Sequence, residues 1–251
     1  MSLAGPHTKI TDLAVPLPFS LALVTVLNNL AMIDKCEADF GGAAARYERA
    51  LHIQERAGKS GDALIGRIRN NYGVTLRLLG RLADARAQLD EALTIRRAAL
   101  GEAAAETGVT MVNLGVLRAA QGDAAEALDQ VERGLAICRA GAGNSHPETV
   151  RCLHELGMLQ LTQGHLDAAG DALREALEIR RHALAPNHTD TADTLLGLGL
   201  LALRRDDRPA ARAQLTEALA IYRSRLAADN PHTRAVQAHL DACSSDERPM
   251  R

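Results

Sequence analysis

Small and apolar residues recur along this chain at a fixed interval of 42 positions. A first pattern places its small residue at Ala31, Gly73, Gly115, Gly157 and Gly199. A second pattern, with the same interval, begins at Ala43, Ala85, Ala127, Ala169 and Ala211. In the second pattern a large and then a small residue follow four and seven positions later, as at Leu89 and Ala92. These spacings place side chains on one helical face, so the sequence predicts five units of two amphipathic helices each.

A glycine separates the two predicted helices in the three central units. Gly80, Gly122 and Gly164 lie where a left-handed residue closes the first helix and reverses the chain. Ala38 and Asp206 take this position in the outer units, whose turns are therefore expected to be less well specified. The loops between units repeat as well, with threonines at Thr107, Thr149, Thr191 and Thr233. Asn, Ser, Asp and Pro in these loops predict a capped start for each first helix.

One continuous domain is predicted, because stacked repeats form a single quasi-linear core. Gly5, Pro6, Pro16 and Pro18 predict an irregular extension over residues 1–19. The repeat array is predicted over residues 20–243, with a capping helix at 233–243 and a polar tail at 244–251. The five units span about residues 20–58, 61–100, 102–143, 146–185 and 188–228.

Composition restricts both the core and the partners. Aromatic residues make up 2 % of the sequence and hydrophobic residues 47 %, so Ala, Leu, Val and Ile must build the core. The formal charge of −2 gives no overall basic surface of the kind that binds nucleic acid. The apolar run from Leu21 to Leu27 is far shorter than the ~20 residues of a membrane span. We therefore expect neither nucleic acid nor a membrane as a partner.

The four cysteines, Cys36, Cys138, Cys152 and Cys243, show no C-x-x-C spacing and lie at different positions within the repeat. They predict neither a zinc site nor a disulfide framework. Reduced thiols and a cytoplasmic location are the favoured interpretation. The sequence contains no phosphate loop, zinc-protease motif or nucleophile motif, so we expect a protein that is not an enzyme and that binds no metal or cofactor.

The repeated segments carry a resemblance to a known family. They include Leu27-Asn28-Asn29-Leu30-Ala31 in the first unit, Gly73, Gly80 and Ala85 in the second, and the loop His146-Pro147-Glu148-Thr149 before the fourth. With these residues the chain resembles the tetratricopeptide repeat, in the 42-residue variety found in kinesin light chains, over about residues 20–243. The resemblance implies an all-α fold, namely an α-solenoid of five two-helix repeats followed by a C-terminal capping helix.

The resemblance also implies that the first helix of each unit lines a concave groove. Its N-terminal end is then rich in amide and basic side chains, and its C-terminal end is apolar. The predicted peptide-binding residues are Asn28, Asn29, Lys35, Arg67, Asn70, Asn71, Arg77, Asn113, Arg151, His154, Glu155, Leu196, Leu200 and Leu203.

Asn29, Asn71 and Asn113 stand 42 residues apart and predict a ladder of side-chain amides. A carboxamide offers both donors and an acceptor, so such a ladder suits the backbone of an extended peptide. The neighbouring Lys35, Arg67 and Arg77 favour an acidic peptide or a free C-terminus. The alternative is that each asparagine bonds the neighbouring helix and holds the repeats in register.

The apolar residues Leu196, Leu200 and Leu203 also have two interpretations: a pocket for apolar peptide side chains, or a surface covered by the last helix or by a second copy. The favoured function is a non-catalytic scaffold or adaptor that binds a peptide or a partner segment in the groove. A self-associating module and the sensor part of a larger signalling protein are the alternatives, and the fold alone does not decide among them.

Overall fold

The computed structural model describes residues 17–57 and 62–245, and all regular secondary structure in these ranges is helical. The first helices of the five units are α1 (Leu17–Cys36), α3 (Ala63–Leu78), α5 (Ala105–Ala120), α7 (Pro147–Thr162) and α9 (Thr189–Arg204). The second helices are α2 (Phe40–Arg56), α4 (Leu82–Leu100), α6 (Ala124–Ala142), α8 (Leu166–Ala183) and α10 (Arg208–Arg225), and α11 (Pro231–Ser245) closes the series. The predicted all-α array of five helix pairs and a C-terminal helix is confirmed. None of the described helices is long and apolar enough to cross a membrane.

The ends of the array differ slightly from the sequence-based bounds. α1 begins at Leu17, so Pro18 lies in the first turn, where a missing N–H breaks no helical hydrogen bond. α11 continues to Ser245, beyond the predicted end of the cap at Cys243. Residues 1–16 of the expected irregular extension and residues 246–251 of the expected polar tail lie outside the described residues.

All five turns within the units use a residue with a positive backbone φ. This angle is 75° at Gly80, 103° at Gly122 and 82° at Gly164. Ala38 and Asp206 adopt the same conformation, with φ of 63° and 58°, although a Cβ atom makes it unfavourable. The outer turns therefore keep the geometry of the central ones, because the packing of the two helices requires it whatever residue is present.

Small residues let the two helices of a unit approach closely. A Cβ atom on Gly73 would lie 2.6 Å from Leu89 Cγ, and one on Gly115 would lie 2.6 Å from Val131 Cγ2. Both glycines belong to the first sequence pattern and both large residues to the second. The two patterns therefore meet inside each unit, and the core that they form extends along the whole array.

Side chains at the start of the first helices fix the loops between units. The Thr107 hydroxyl donates a hydrogen bond to the carbonyl of Gly101 at 2.8 Å. His146 Nδ1 accepts from the backbone N–H of Glu148 at 3.3 Å, and His188 Nδ1 caps α9 in the same way at 3.2 Å. The two histidines thus satisfy free N–H groups in the first turns of α7 and α9, whereas Thr107 ties the start of α5 to the preceding loop.

The array curves with its first helices on the inside. First helices of neighbouring units contact one another at α3–α5, α5–α7 and α7–α9. Within the described ranges, no contact of similar extent joins neighbouring second helices. Elements on the inner side of a curved stack lie closer together than those on the outer side, so the first helices line a concave groove.

Candidate peptide-binding groove

Five asparagines on the inner surface form a continuous chain of hydrogen bonds through α1, α3 and α5. Asn28 Nδ2 donates to Asn29 Oδ1 at 3.2 Å, and Asn71 Nδ2 donates to Asn28 Oδ1 at 3.3 Å. Asn70 Nδ2 donates to Asn71 Oδ1 at 3.4 Å, and Asn113 Nδ2 donates to Asn70 Oδ1 at 2.8 Å. We call this series the amide relay. Its bonds alternate between neighbours on one helix and partners in adjacent units, so it connects the first three units directly.

Arg151 on α7 extends the amide relay into the fourth unit. Its Nη1 donates to Asn113 Oδ1 at 3.5 Å, while its Nε and Nη2 donate to Glu148 Oε2 at 3.1 and 2.7 Å. Burial alone raises the pKa of the Glu148 carboxyl, but the charge and hydrogen bonds of Arg151 outweigh burial and hold this pKa below its ordinary value. Glu148 therefore stays ionised and fixes the guanidinium at the end of the relay.

The amide relay differs from the predicted ladder because it passes through two helical positions instead of one. Asn28 and Asn70, 1 % and 3 % exposed, connect the ladder residues Asn29, Asn71 and Asn113. Asn70, Asn71 and Asn113 each use one donor and one acceptor and keep one N–H and one lone pair, whereas Asn28 Nδ2 also donates to Met32 Sδ at 3.9 Å. Asn29 is exposed and Asn71 is half-buried, whereas Asn113 is buried. The relay bonds neighbouring units together, and peptide binding by the ladder stays a prediction.

Lys35, Arg67 and Arg77 add positive charge to the groove. None of them makes a salt bridge or a side-chain hydrogen bond with any residue that the structure describes. Burial, and then the charges of Arg151 and Arg77, lower the pKa of Lys35 to about 8. A cation placed near other cations in this way gains from an anionic ligand.

His154 and Glu155 take the place of the amides in the fourth unit, and both are half-buried. His154 Nδ1 is shielded from solvent and has no hydrogen-bond partner in the described part of the chain. Burial lowers the pKa of His154, so the imidazole is neutral at pH 7. Glu155 lies near enough to Lys35 to favour its charged form, and so balances part of the basic charge.

Leu196, Leu200 and Leu203 are half-buried at the C-terminal end of the groove. They pack against the core cluster of the last two units, which includes Leu195 and Leu215. α11 packs on α10 and makes no comparable contact with α9 among the described residues. Each of the three leucines therefore divides its surface between the core and the groove.

One contact, which the sequence did not predict, joins the two ends of the array. Asn230 Nδ2, at the start of α11, donates a hydrogen bond to the carbonyl of Cys36 at the end of α1. The carboxylates of Asp190 and Asp193 on α9 also act on the pKa of the Cys36 thiol, which burial raises. The end of α1 therefore lies across the groove from the last units. The repeat pattern carries no signal for this contact, because the pattern reports only neighbours within one or two units.

Buried polar side chains between units were a second feature that sequence reasoning missed. Arg96 Nη1 donates to the carbonyl of Glu106 at 2.6 Å and to Thr110 Oγ1 at 2.8 Å. Burial lowers the pKa of Arg96 to about 10. In the next unit the same two positions hold Cys138 and Cys152, whose Sγ atoms are 3.6 Å apart. Positions 96 and 138 are equivalent in the repeat, and so are positions 110 and 152. The interval of 42 residues was therefore the signal in the sequence that relates the two pairs.

This fold and groove define a class of proteins built from stacked helix pairs around a curved inner surface. The sequence model of the tetratricopeptide repeat matches residues 22–98, 64–140, 106–182 and 166–224. The chain belongs to the tetratricopeptide repeat family, whose fold is a general protein–protein interaction module and whose members are generally non-catalytic scaffolds. No curated protein matches the chain in sequence.

Solved structures share the fold. BtubC (BKLC) from P. vanneervenii is 22 % identical, with a TM-score of 0.60 over 82 % of this chain and 83 % of that one. A Podosopora anserina protein with nearly identical TPR-like repeats of the kinesin light chain type is 20 % identical, with a TM-score of 0.57 over 70 % and 84 %. PilW, a type IV pilus biogenesis factor, is 18 % identical, with a TM-score of 0.54 over 87 % and 92 %. The predicted resemblance to kinesin light chain-like repeats is confirmed.

Proposed function

We propose that this protein is a non-catalytic adaptor of the cytoplasm whose groove binds an extended peptide or partner segment that is acidic or ends in a free C-terminus. The observation that carries the proposal is the unpaired basic charge of the groove. Lys35, Arg67 and Arg77 face a surface lined by first helices and make no salt bridge with any described residue. A carboxylate ligand would replace the water around these cations with charge-assisted hydrogen bonds.

The amide relay supports the proposal by making the groove rigid before a ligand arrives. It bonds α1, α3 and α5 to one another, and Arg151 extends it to α7. A preformed surface loses little conformational entropy on binding, so more of the contact energy appears as affinity. The free N–H and lone pair on Asn71 are positioned to bond the main chain of a peptide without reading its side chains.

Fluorescence anisotropy with defined peptide pools tests this function. A labelled pool of acidic peptides with free C-termini should bind the full chain more tightly than an amidated pool or a basic pool, and added salt should weaken the binding. Lys35→Ala combined with Arg77→Ala should weaken it about tenfold, or about 1.4 kcal/mol.

Arg49→Ala provides a matched control, because Arg49 is an exposed arginine on α2, outside the groove, and makes no salt bridge among the described residues. The control should bind like the wild type. Equal loss in the control and the double variant, or no preference for the acidic pool, would reject the groove as the binding site.

A further inference from the structure

Five large apolar residues of α1 are exposed, and three of them share one face. Val26 is 51 % exposed, Leu30 is 37 % exposed and Ile33 is 53 % exposed. Their spacings of four and three place them on one face of the helix. We call these three residues the N-terminal stripe. It is distinct from the groove, which the adjacent Met32 faces.

The other units show that such a stripe is ordinarily a packing surface. The residues equivalent to Val26 in the later first helices are all 0 % exposed: Ile68, Thr110, Cys152, Thr194 and Val236. Those equivalent to Ile33 are at most 6 % exposed: Thr75, Leu117, Leu159, Leu201 and Cys243.

In the later units, the second helix of the preceding unit packs on this face and buries these residues. Arg96 of α4 bonds Thr110 of α5, and Cys138 of α6 contacts Cys152 of α7. For α1, no helix in the described ranges takes that place.

The N-terminal stripe carries no charge. Asp34 and Lys35 are the only charged residues between Leu17 and Cys36. Asp34 forms an ion pair with Arg46 on α2, and Lys35 faces the groove. A partner must therefore offer an uncharged apolar surface, because burying an unpaired charge against the stripe is costly.

The other end of the array does not offer such a surface. Exposed Asp241 on α11 occupies the repeat position of Gly73, and exposed Arg234 occupies that of Gly66. Cβ atoms at these glycines would already lie 2.6 Å and 3.0 Å from side chains of the second helix. A further helix therefore cannot pack on α11 in the same way, and this polar face ends the array.

The residues before α1 lack the sequence pattern of a second helix. At the repeat positions of Leu89, Ala92 and Leu93, the chain has Gly5, Thr8 and Lys9. A lysine at a core leucine position and a glycine at another do not form the apolar face that such a helix presents. The N-terminal stripe is itself an uncharged apolar surface, so a second copy of the chain supplies the kind of surface that the stripe requires.

We propose that the N-terminal stripe binds the same stripe of a second copy, which gives a closed dimer through α1. An antiparallel arrangement about a two-fold axis near Leu30 places Val26 against the partner's Ile33. Because the polar C-terminal faces then point outward, the assembly stops at two chains and does not grow into a filament.

Light scattering after size-exclusion chromatography of the full chain tests the dimer. The wild type should have twice the chain mass of 26.8 kDa. Ile33→Lys should elute as a monomer, with the dimer dissociation constant raised at least ~30-fold. Met32→Lys is the matched control, since Met32 is 50 % exposed on the same helix but faces the groove, and it should remain dimeric. Circular dichroism should show both variants folded.

Three results would overturn the proposal: a monomeric wild type at high concentration, a dimer that Ile33→Lys leaves intact, or equal dissociation by Met32→Lys. Charge complementation then tests whether the two stripes contact each other. Chains carrying Val26→Glu with Ile33→Glu, and chains carrying Val26→Lys with Ile33→Lys, should each be monomeric and should form a one-to-one dimer on mixing. A mixture that stays monomeric would contradict the antiparallel pairing of the two stripes.

Discussion

Asn230 Nδ2 donates a hydrogen bond of 3.2 Å to the backbone carbonyl of Cys36, 194 residues earlier in the chain. The Oδ1 atom of the same side chain accepts from the N–H of His232 at 2.9 Å. One buried asparagine therefore caps the first turn of α11 and the last turn of α1. This link joins the two ends of the array across the groove, and it restricts how far the groove can open.

Two substitutions of Asn230 separate the contribution of its helix cap on α11 to stability from that of its hydrogen bond to Cys36. Asn230→Ala removes both and should lower the free energy of unfolding by about 2 kcal/mol, with about half from the cap and half from the link. Asn230→Ser keeps a capping oxygen but cannot reach Cys36, so it should cost about 1 kcal/mol, the contribution of one hydrogen bond. Urea denaturation measures both values. A serine variant as stable as the wild type would show that the link contributes nothing to stability.

The buried part of the amide relay should matter for stability more than its exposed end. Asn70→Ala leaves Asn113 Nδ2 and Asn71 Oδ1 without their partners, which should cost about 1–3 kcal/mol. Asn29→Ala removes an exposed acceptor at the end of the relay and should change stability by less than about 0.5 kcal/mol. Thermal or urea unfolding of the two variants compares them, and equal losses would contradict a register role for the relay.

The left-handed conformation of Ala38 predicts a stabilising glycine. Ala38→Gly should raise the free energy of unfolding by up to about 1 kcal/mol, because glycine tolerates a φ of 63°. Asp206→Gly should gain less, since aspartate adopts this conformation more readily. Ala45→Gly, at an exposed position within α2, is the control and should lose about 1 kcal/mol. Differential scanning calorimetry ranks the three variants by stability. A destabilised Ala38→Gly would contradict the turn geometry.

Lys35 should titrate far below an ordinary lysine. Its pKa is lowered from 10.5 to about 8 by burial and then by Arg151, and the sequence contains only two other lysines, Lys9 and Lys59. NMR of lysine side-chain amines should show one group with a midpoint near pH 8 that disappears in Lys35→Met. A midpoint above 10 would contradict the enclosed position of this side chain.

The direction of the stability change with pH follows from the same pKa of Lys35. Below pH 8 the side chain is charged in the folded and the unfolded chain, so the full cost of burying the charge is present. Between about pH 8 and 10.5 the folded chain releases the proton first, so the contribution of Lys35 to stability rises with pH. The difference in unfolding free energy between wild type and Lys35→Met should therefore shift in favour of the wild type over this range.

The sequence alone determined the repeat, the two helices of each unit, their turns and the family. These features depend on contacts inside one unit, such as Gly73 against Leu89, which recur in every unit and so leave a periodic pattern in the sequence. The inner position of the candidate groove residues was implied by the resemblance to the family. Bonding to the neighbouring helix was one interpretation of Asn29, Asn71 and Asn113, but the connecting role of Asn28 and Asn70 was not predicted.

Only the tertiary structure decided the features that do not repeat. The curvature of the whole array brings Asn230 to Cys36, and curvature accumulates from small rotations between units that no single pattern encodes. The exposure of Val26 and Ile33 is also a feature that does not repeat in the other units. By sequence they are core residues equivalent to Ile68 and Thr75, and they differ only in what packs against them in the fold. Burial is a property of neighbours in space, so a sequence pattern predicts the apolar surface but not what covers it.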